Sequence, residues 1–146
     1  MRTVEQENRD TVTRGDTASM YVLSANGTFS DQQGVIGVAY SSSSFVLFLE
    51  QNQARGFGDS NAVERAVLVH EAGHLLALVN IGYSSPRERE DPDHPNHSAS
   101  EESVMHWAVE SVSILSALGG GPPDDFDADD RADLADIASG SITPEF

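Results

Sequence analysis

The pattern of apolar and polar positions divides the chain into three short apolar runs followed by one long one. The short runs, residues 19–24, 35–40 and 45–50, have the length of β-strands. The third is apolar on both faces, so we expect it in the interior of a sheet, and the first is also expected to be buried. Residues 1–18 are mostly polar and are expected to form a frayed or extended lead-in.

An apolar stretch over residues 62–80 is long enough to form a helix rather than a strand. Asn61 and Glu64, three residues apart, resemble a capping box and predict where this helix begins. We expect the helix to end between Asn80 and Gly82, because glycine readily adopts the left-handed conformation that terminates helices.

The C-terminal half is expected to contain a long loop and a second helix. Residues 83–103 contain three prolines, two histidines and many charges, which predicts an ordered, functional loop. Residues 108–118 are apolar and are expected to form a short helix or an irregular wall, and residues 127–138 a C-terminal helix. The aspartates at 125–130 lack the glycine and glutamate of a calcium-binding loop. We expect them to be solvated at the N-terminus of that helix.

These elements predict one α+β domain over residues 19–146, with a twisted mixed sheet packed on the helix at 62–80 and the C-terminal helix on the other side. A length of 146 residues is typical of a single domain. Gly37, inside the second strand, indicates either a bulge or close backbone approach there, or merely a weakened strand.

The composition of the chain is strongly acidic. There are 24 acidic and 8 basic residues, a net charge of -16, and every basic residue is arginine. Such a charge repels phosphate, which argues against nucleic acid and anionic membranes as partners. It favours the hypothesis of a halophilic protein, because salt screens the self-repulsion of an acidic surface.

Cysteine is absent, so neither disulfides nor thiolate metal ligands are available and metal ligands must be His, Asp or Glu. No apolar run approaches the roughly 18 residues of a membrane span. The segment after Met1 lacks the apolar core of a signal peptide. We expect a monomer without a membrane span.

Residues 70–74, with the sequence HEAGH, form an HExxH motif inside the predicted helix. Positions four apart lie on one helix face, so His70 and His74 can bind one metal ion. Glu71 can reach the water that the metal activates, as in zinc hydrolases. A carboxylate within an apolar helix also needs a partner, and a metal site provides one.

Zinc needs a third protein ligand, and spacing does not select it. Histidine and acidic candidates follow the motif at Asp93, His94, His97, Glu101, Glu102 and His106.

The segment 103–107, with the sequence SVMHW, resembles the Met-turn of the metzincin metalloproteases, especially the Ser-Ile-Met-His-Tyr form of astacins. The loop that carries 93–97, with the sequence DHPNH, resembles that of secreted or lipid-anchored metzincin-like proteases of prokaryotes. This resemblance implies a metzincin-like fold, His97 as the third ligand, Glu71 as the base and Met105 packed beneath the metal. It also implies an extracellular or cell-surface location.

The chain departs from the usual metzincin pattern in several places. The family has a glycine three residues after the second motif histidine and a ligand three residues later, where this chain has Ala77 and Asn80. The helix can therefore continue past the usual turn. Trp107 replaces the astacin tyrosine, so no phenol is available there. Ser98 and Ser103 occupy the positions expected for a cysteine pair in related loops.

Other assignments of the loop residues remain open. His94 could be a surface histidine, a group that supports a ligand, or the third ligand in place of His97. His106 follows the Met-turn methionine and is expected to point away from the metal. Glu101 or Glu102 would be the third ligand if the site resembled that of the gluzincins.

The motif and the resemblance together predict a zinc metalloendopeptidase with one Zn²⁺ held by His70, His74 and His97. Glu71 is expected to take the proton of the attacking water and pass it to the leaving amine. A peptide or protein substrate is expected along the exposed edge of the strand at 35–40. The alternatives are a catalytically inactive zinc-binding relative that acts as a binding or surface module, and a zinc hydrolase of non-peptide amides.

Overall fold

The computed structural model describes residues 1–30, 34–48, 60–110 and 121–145. The ends of two predicted segments, at 49–50 and 111–118, lie outside the described residues. The elements in chain order are α1 (Arg2–Asn8), β1 (Tyr21–Ala25), β2 (Gly37–Ser41), β3 (Ser44–Phe48), α2 (Ser60–Leu75), a 3-10 helix (Trp107–Glu110) and α3 (Ala128–Ser139). The described residues therefore form a small α+β fold, which confirms the predicted class.

The sheet has three strands in the order β1–β3–β2. Strand β3 runs parallel to β1, pairing Val46 with Leu23, and antiparallel to β2, pairing Val46 with Val38. All five residues of β3 are buried, as expected for an interior strand. Strand β1 alternates between half-buried and exposed positions, and Val22 is 43% exposed. The prediction of a buried first strand was therefore wrong, because β1 lies at an edge of the described sheet.

Helix α2 packs on the sheet through one apolar face. Val63, Ala66 and Val67 on this helix are buried in one cluster with Phe45 and Leu47 of β3. Residues four or three apart lie on one side of a helix, so this stripe covers the sheet. This packing also fixes the position of the HExxH residues, which follow in the same helix, relative to β2.

Helix α2 ends at Leu75, directly after the second motif histidine. The expected continuation to residues 80–82 was wrong. Ala77, Val79 and Asn80 adopt left-handed backbone conformations, with φ of 67°, 56° and 64°. This conformation costs non-glycine residues about 1–2 kcal/mol each. Complete burial of Leu78 and Val79 in the core offsets that cost.

The loop over residues 83–103 is held to its neighbours by main-chain hydrogen bonds. Asp91 N–H donates to the carbonyl of His97 at 2.8 Å, and Ala99 N–H donates to the carbonyl of Arg89 at 2.9 Å. Ser98 N–H donates to the Met105 carbonyl at 2.8 Å. The loop therefore forms a hairpin-like unit that is joined directly to the segment 103–107.

Helix α3 begins at the predicted place, and Asp127 and Asp130 form a reciprocal capping box. The expectation that the aspartates at 125–130 are solvated was wrong for Asp130, which is fully buried, as is Asp133 one turn later. The buried guanidinium of Arg89 pairs with both carboxylates. Ser103 Oγ donates to Asp130 Oδ2 at 2.6 Å, so α3 is bonded to the loop both at Arg89 and at Ser103.

The N-terminal segment contains a helix where the sequence predicted an irregular lead-in. Arg9 pairs with Glu5 at 2.7 Å, and its guanidinium also donates to Ser43 Oγ and Ser44 Oγ near the β2–β3 turn. These bonds attach α1 to the sheet. Within the described part of the chain, no helix has the length and apolar character needed to cross a membrane.

Candidate metal centre

Four side chains converge on one point beside the sheet. His70 and His74 come from the last turns of α2, His97 from the loop, and Glu110 from the end of the 3-10 helix. One ligand atom from each of the four lies within 4.8 Å of every other. This group could hold a metal ion.

The possible ligand atoms of these four side chains lie close to one another. The Nε2 atoms of His70 and His74 are 3.0 Å apart. Glu110 Oε1 lies 3.4 Å from His70 Nε2, 3.6 Å from His74 Nε2 and 3.3 Å from His97 Nε2. Three imidazole nitrogens therefore surround one carboxylate oxygen.

Two of the imidazoles are oriented by main-chain carbonyls. His70 Nδ1 lies 2.7 Å from the carbonyl oxygen of Val104, and His97 Nδ1 lies 3.0 Å from that of Pro95. A proton on Nδ1 that is donated to a carbonyl leaves Nε2 with a free lone pair, which is the form that binds a metal. The ring orientations of His70 and His97 thus fit a metal site.

The electrostatics of the cluster also favour neutral histidine at His74. Burial lowers the pKa of His74 to about 4, with a smaller contribution from the neighbouring imidazoles, against the opposing effect of Glu110. Burial alone would raise the pKa of Glu110, but its contacts with His70, His74 and His97 hold that pKa far below the usual range. The cluster thus pairs an ionised carboxylate with the imidazoles.

Glu71 is completely buried beside this cluster, and neither carboxylate oxygen forms a hydrogen bond of ordinary geometry with the described residues. Burial, followed by the nearby charge of Glu110, raises the pKa of Glu71 well above its usual value, and the backbone amide of Ala39 opposes this in part. Such an unpaired buried carboxylate is costly for folding alone. A role in binding or chemistry explains it better than packing does.

Gly37 of β2 makes room for the Glu71 carboxylate. A Cβ atom on Gly37 would overlap Glu71 Oε1 and would lie 2.6 Å from Val67 Cγ1. The expectation of a close backbone approach at Gly37 is confirmed.

Met105 is fully buried and packs against the motif helix at Gly73. A Cβ atom on Gly73 would overlap the Met105 sulfur and would lie 3.1 Å from the ring of Phe126. The contact places the methionine under the turn that carries the two motif histidines. The glycine between them is needed because the sulfur occupies the space of its side chain.

The other candidate ligands of the loop lie outside the cluster. His94 stacks on Trp107, with ring centroids 3.9 Å apart and an interplanar angle of 4°, and bonds to Asp91 Oδ1 at 3.1 Å. His106 is buried and contacts Trp107 from another side. The remaining candidates are exposed carboxylates: Asp93, Glu101 and Glu102.

Sequence reasoning missed Glu110. A signal for it exists, because Glu110 is the single charged residue in the apolar segment 108–118. Like Glu71, Glu110 is an isolated carboxylate in an apolar segment, and such a carboxylate needs a partner if it is buried.

An open cleft of about 460 Å³ runs along β2 and ends at the candidate metal centre. Its apolar part includes Phe29, Val35, Val38, Leu75 and Ile81, and its polar end includes His74, His97 and Glu110. Strand β2 has a hydrogen-bonded neighbour on one side only within the described sheet. The cleft thus brings an open strand edge and three candidate ligands to one surface.

Comparison of the chain with models of known protein families, with curated proteins and with solved structures found no match. The class of site is therefore defined by its own residues, as a three-histidine, one-glutamate candidate metal centre.

Proposed function

We propose that this protein is a zinc-dependent metallopeptidase of the metzincin type. One observation carries the proposal: three imidazoles converge beside an open cleft, which two of them, His74 and His97, line. The buried, unpaired carboxylate of Glu71 lies against Gly37, which lines the same cleft. The resemblance of segment 103–107 to the metzincin Met-turn adds to it, as does the packing of Met105 beneath the motif helix.

The donor set suits zinc. Imidazole nitrogen and carboxylate oxygen are common zinc ligands, and the chain has no thiolate to offer. When bound, Zn²⁺ would supply an acidified water and polarise the scissile carbonyl.

Glu71 would act as the general base. Its carboxylate lies against Gly37, its oxygens form no hydrogen bond of ordinary geometry with the described residues, and Glu71 is adjacent to His70 in the motif helix. A carboxylate whose pKa is raised by burial is better suited to accept a proton near neutral pH than an ordinary one. Glu71 would accept the proton of the attacking water and deliver it to the leaving amine.

The substrate would be an extended peptide or protein segment that pairs with β2. The cleft follows this strand, and unpaired main-chain groups at a sheet edge bind extended peptides by adding a strand. The apolar side chains Phe29, Val35 and Ile81 would contact apolar substrate side chains.

The test compares wild type, Glu71→Gln and Glu102→Gln in cleavage of a peptide library, with zinc content measured on the same samples. Glu71→Gln should lose about 10²–10⁴-fold in kcat/KM, the usual contribution of a general base, and keep its zinc. Glu102 is exposed and outside the cluster, so Glu102→Gln should behave as wild type. Cleavage by wild type and Glu71→Gln at equal rates would refute the assignment.

A zinc-binding module without turnover is the second candidate, and the position of Glu110 favours it. Four protein ligands are typical of structural zinc sites, whereas catalytic sites keep one position open. Stoichiometric zinc in wild type, without cleavage of any library peptide by wild type or by a Glu110 variant, would refute the peptidase and favour this second function.

A further inference from the structure

We propose that Glu110 is the fourth ligand of the metal centre and that it closes the site until a bound peptide displaces it. The consequence for activity rests on the proposed function, since only a catalytic centre needs the position that Glu110 takes. The assignment of the ligand itself rests on the geometry alone.

The distances from the Glu110 carboxylate to the three imidazoles are close to those between donors of a tetrahedral site, whereas the Nε2 atoms of His70 and His74 are closer together, at 3.0 Å. With zinc–ligand bonds of about 2.0–2.1 Å, two donors of a tetrahedral site lie about 3.3–3.4 Å apart. Glu110 Oε1 lies 3.4, 3.6 and 3.3 Å from the Nε2 atoms of the three histidines. Glu110 would therefore hold the metal as a fourth ligand, in place of the water that a catalytic centre binds.

Glu110 is the member of the cluster best placed to move. Its side chain is 32% exposed, compared with 0% for His70 and 10% for His74. It also lines the cleft along β2, so a peptide in that cleft reaches it. The imidazoles of α2 are fixed by the helix, whereas the Glu110 carboxylate can rotate into the cleft.

The main chain links Glu110 to the strand on which a peptide would bind. Ile36 N–H, which immediately precedes β2, donates to the Glu110 carbonyl at 3.2 Å. A peptide that pairs with β2 thus binds next to the backbone anchor of the closing ligand. A peptide bound along β2 would therefore lie close to the Glu110 carboxylate that it displaces.

The test uses the full chain loaded with Co²⁺, whose visible absorption reports its ligands, and acetohydroxamate as a small metal-binding probe. Wild type, Glu110→Ala and Glu102→Ala are titrated with the probe. If Glu110 closes the site, wild type and Glu102→Ala should need at least about tenfold more probe than Glu110→Ala, a difference of about 1.4 kcal/mol. Equal midpoints for all three proteins would overturn the proposal.

A measurement on wild type alone covers the case in which Glu110→Ala does not fold. Electron–nuclear double resonance of the Co²⁺ protein in ¹⁷O-enriched water should show no ¹⁷O coupling from a bound water. A ¹⁷O coupling of the size seen for directly bound water would overturn the proposal.

Peptide cleavage separates this inference from the proposed function. Glu110→Ala should cleave library peptides faster than wild type if both proposals hold. If the cobalt experiments show that Glu110 closes the site but neither protein cleaves peptides, Glu110 remains a metal ligand and the proposed peptidase activity is refuted. If the cobalt experiments show an open site and both proteins cleave peptides at the same rate, the closing role of Glu110 is refuted and the peptidase activity is supported.

Discussion

The backbone of Gly37 lies directly against the carboxylate of Glu71, with no space between them for a side chain. Strand β2 thereby forms one wall of the pocket that holds the proposed base. The contact also joins the motif helix to the edge of the sheet where we propose that substrate binds, so a substitution at either residue should displace the other.

Gly37→Ala should therefore displace the Glu71 carboxylate and lower kcat/KM. The added methyl group overlaps Oε1, and a misplaced general base loses its contribution of about 10²–10⁴-fold. Zinc content should stay at the wild-type value, because the imidazoles are not displaced. Peptide cleavage and elemental analysis on the same sample test both statements.

The same methyl group would also lie 2.6 Å from Val67 Cγ1, and a second variant separates the two clashes. Gly37→Ala combined with Val67→Ala relieves the contact with the valine but not the one with Glu71. Restored cleavage in the double variant would show that Val67, rather than the base, causes the loss.

His97→Ala should weaken zinc binding by more than about 100-fold, whereas His94→Ala should change it little. Loss of a group that merely supports a ligand costs about 10–100-fold, and loss of a ligand should cost more. Nε2 of His97 faces the cluster, while the His94 ring stacks on Trp107. Competition with a coloured chelator measures both affinities. Equal losses in the two variants would contradict the assignment.

Asp130→Ala should lower the free energy of unfolding by about 3–5 kcal/mol, the usual cost of leaving a buried charge without its partner. The carboxylate of Asp130 pairs with Arg89, accepts from Ser103 and completes the capping box of α3. Urea denaturation monitored by circular dichroism measures the change. Asp129, exposed in the same turn, is the matched control, and Asp129→Ala should cost less than about 1 kcal/mol.

The pairing of Asp133 predicts how stability depends on acid pH. Burial raises the pKa of Asp133, but hydrogen bonds from Arg89 and Ser85 and the charge of Arg89 outweigh it, so the net pKa is below the usual value. The native chain then binds fewer protons at this site than the unfolded chain. Stability from Asp133 is fully present above the unfolded pKa of about 3.9 and is lost as the pH falls through the lower native pKa.

Asp133→Asn should therefore flatten the decrease in unfolding free energy below about pH 4. Urea denaturation at a series of acid pH values, with a chelator present to remove metal, measures the slope. Asp129→Asn is the control for the removal of one exposed charge from α3. The same slope in wild type and Asp133→Asn would show that this carboxylate does not contribute.

The sequence predicted the part of the site that local geometry determines. His70 and His74 lie four apart in a helix, and this spacing alone brings their imidazoles together. His97 and His94 share one loop, and their roles depend on which way that loop turns. The turn is set by bonds to residues far along the chain, among them the pairing of Arg89 with Asp130.

The mistaken expectations arose where tertiary contacts outweigh local preference. The helix ends at Leu75 because burial of Leu78 and Val79 favours a left-handed turn that their sequence alone does not indicate. Asp130 is buried because Arg89, distant in sequence, pairs with it. Partners that are distant in sequence cannot be predicted from local sequence patterns, because folding brings them together.

Because His94 stacks on Trp107, the tryptophan is an intrinsic fluorescence probe of the loop. Trp107 is the single tryptophan of the chain, so its fluorescence comes from one known position. The ring that covers it belongs to the loop that carries His97, three residues away. Changes in the emission of the unlabelled protein therefore follow the arrangement of this loop in real time, including during rapid mixing with metal or peptide.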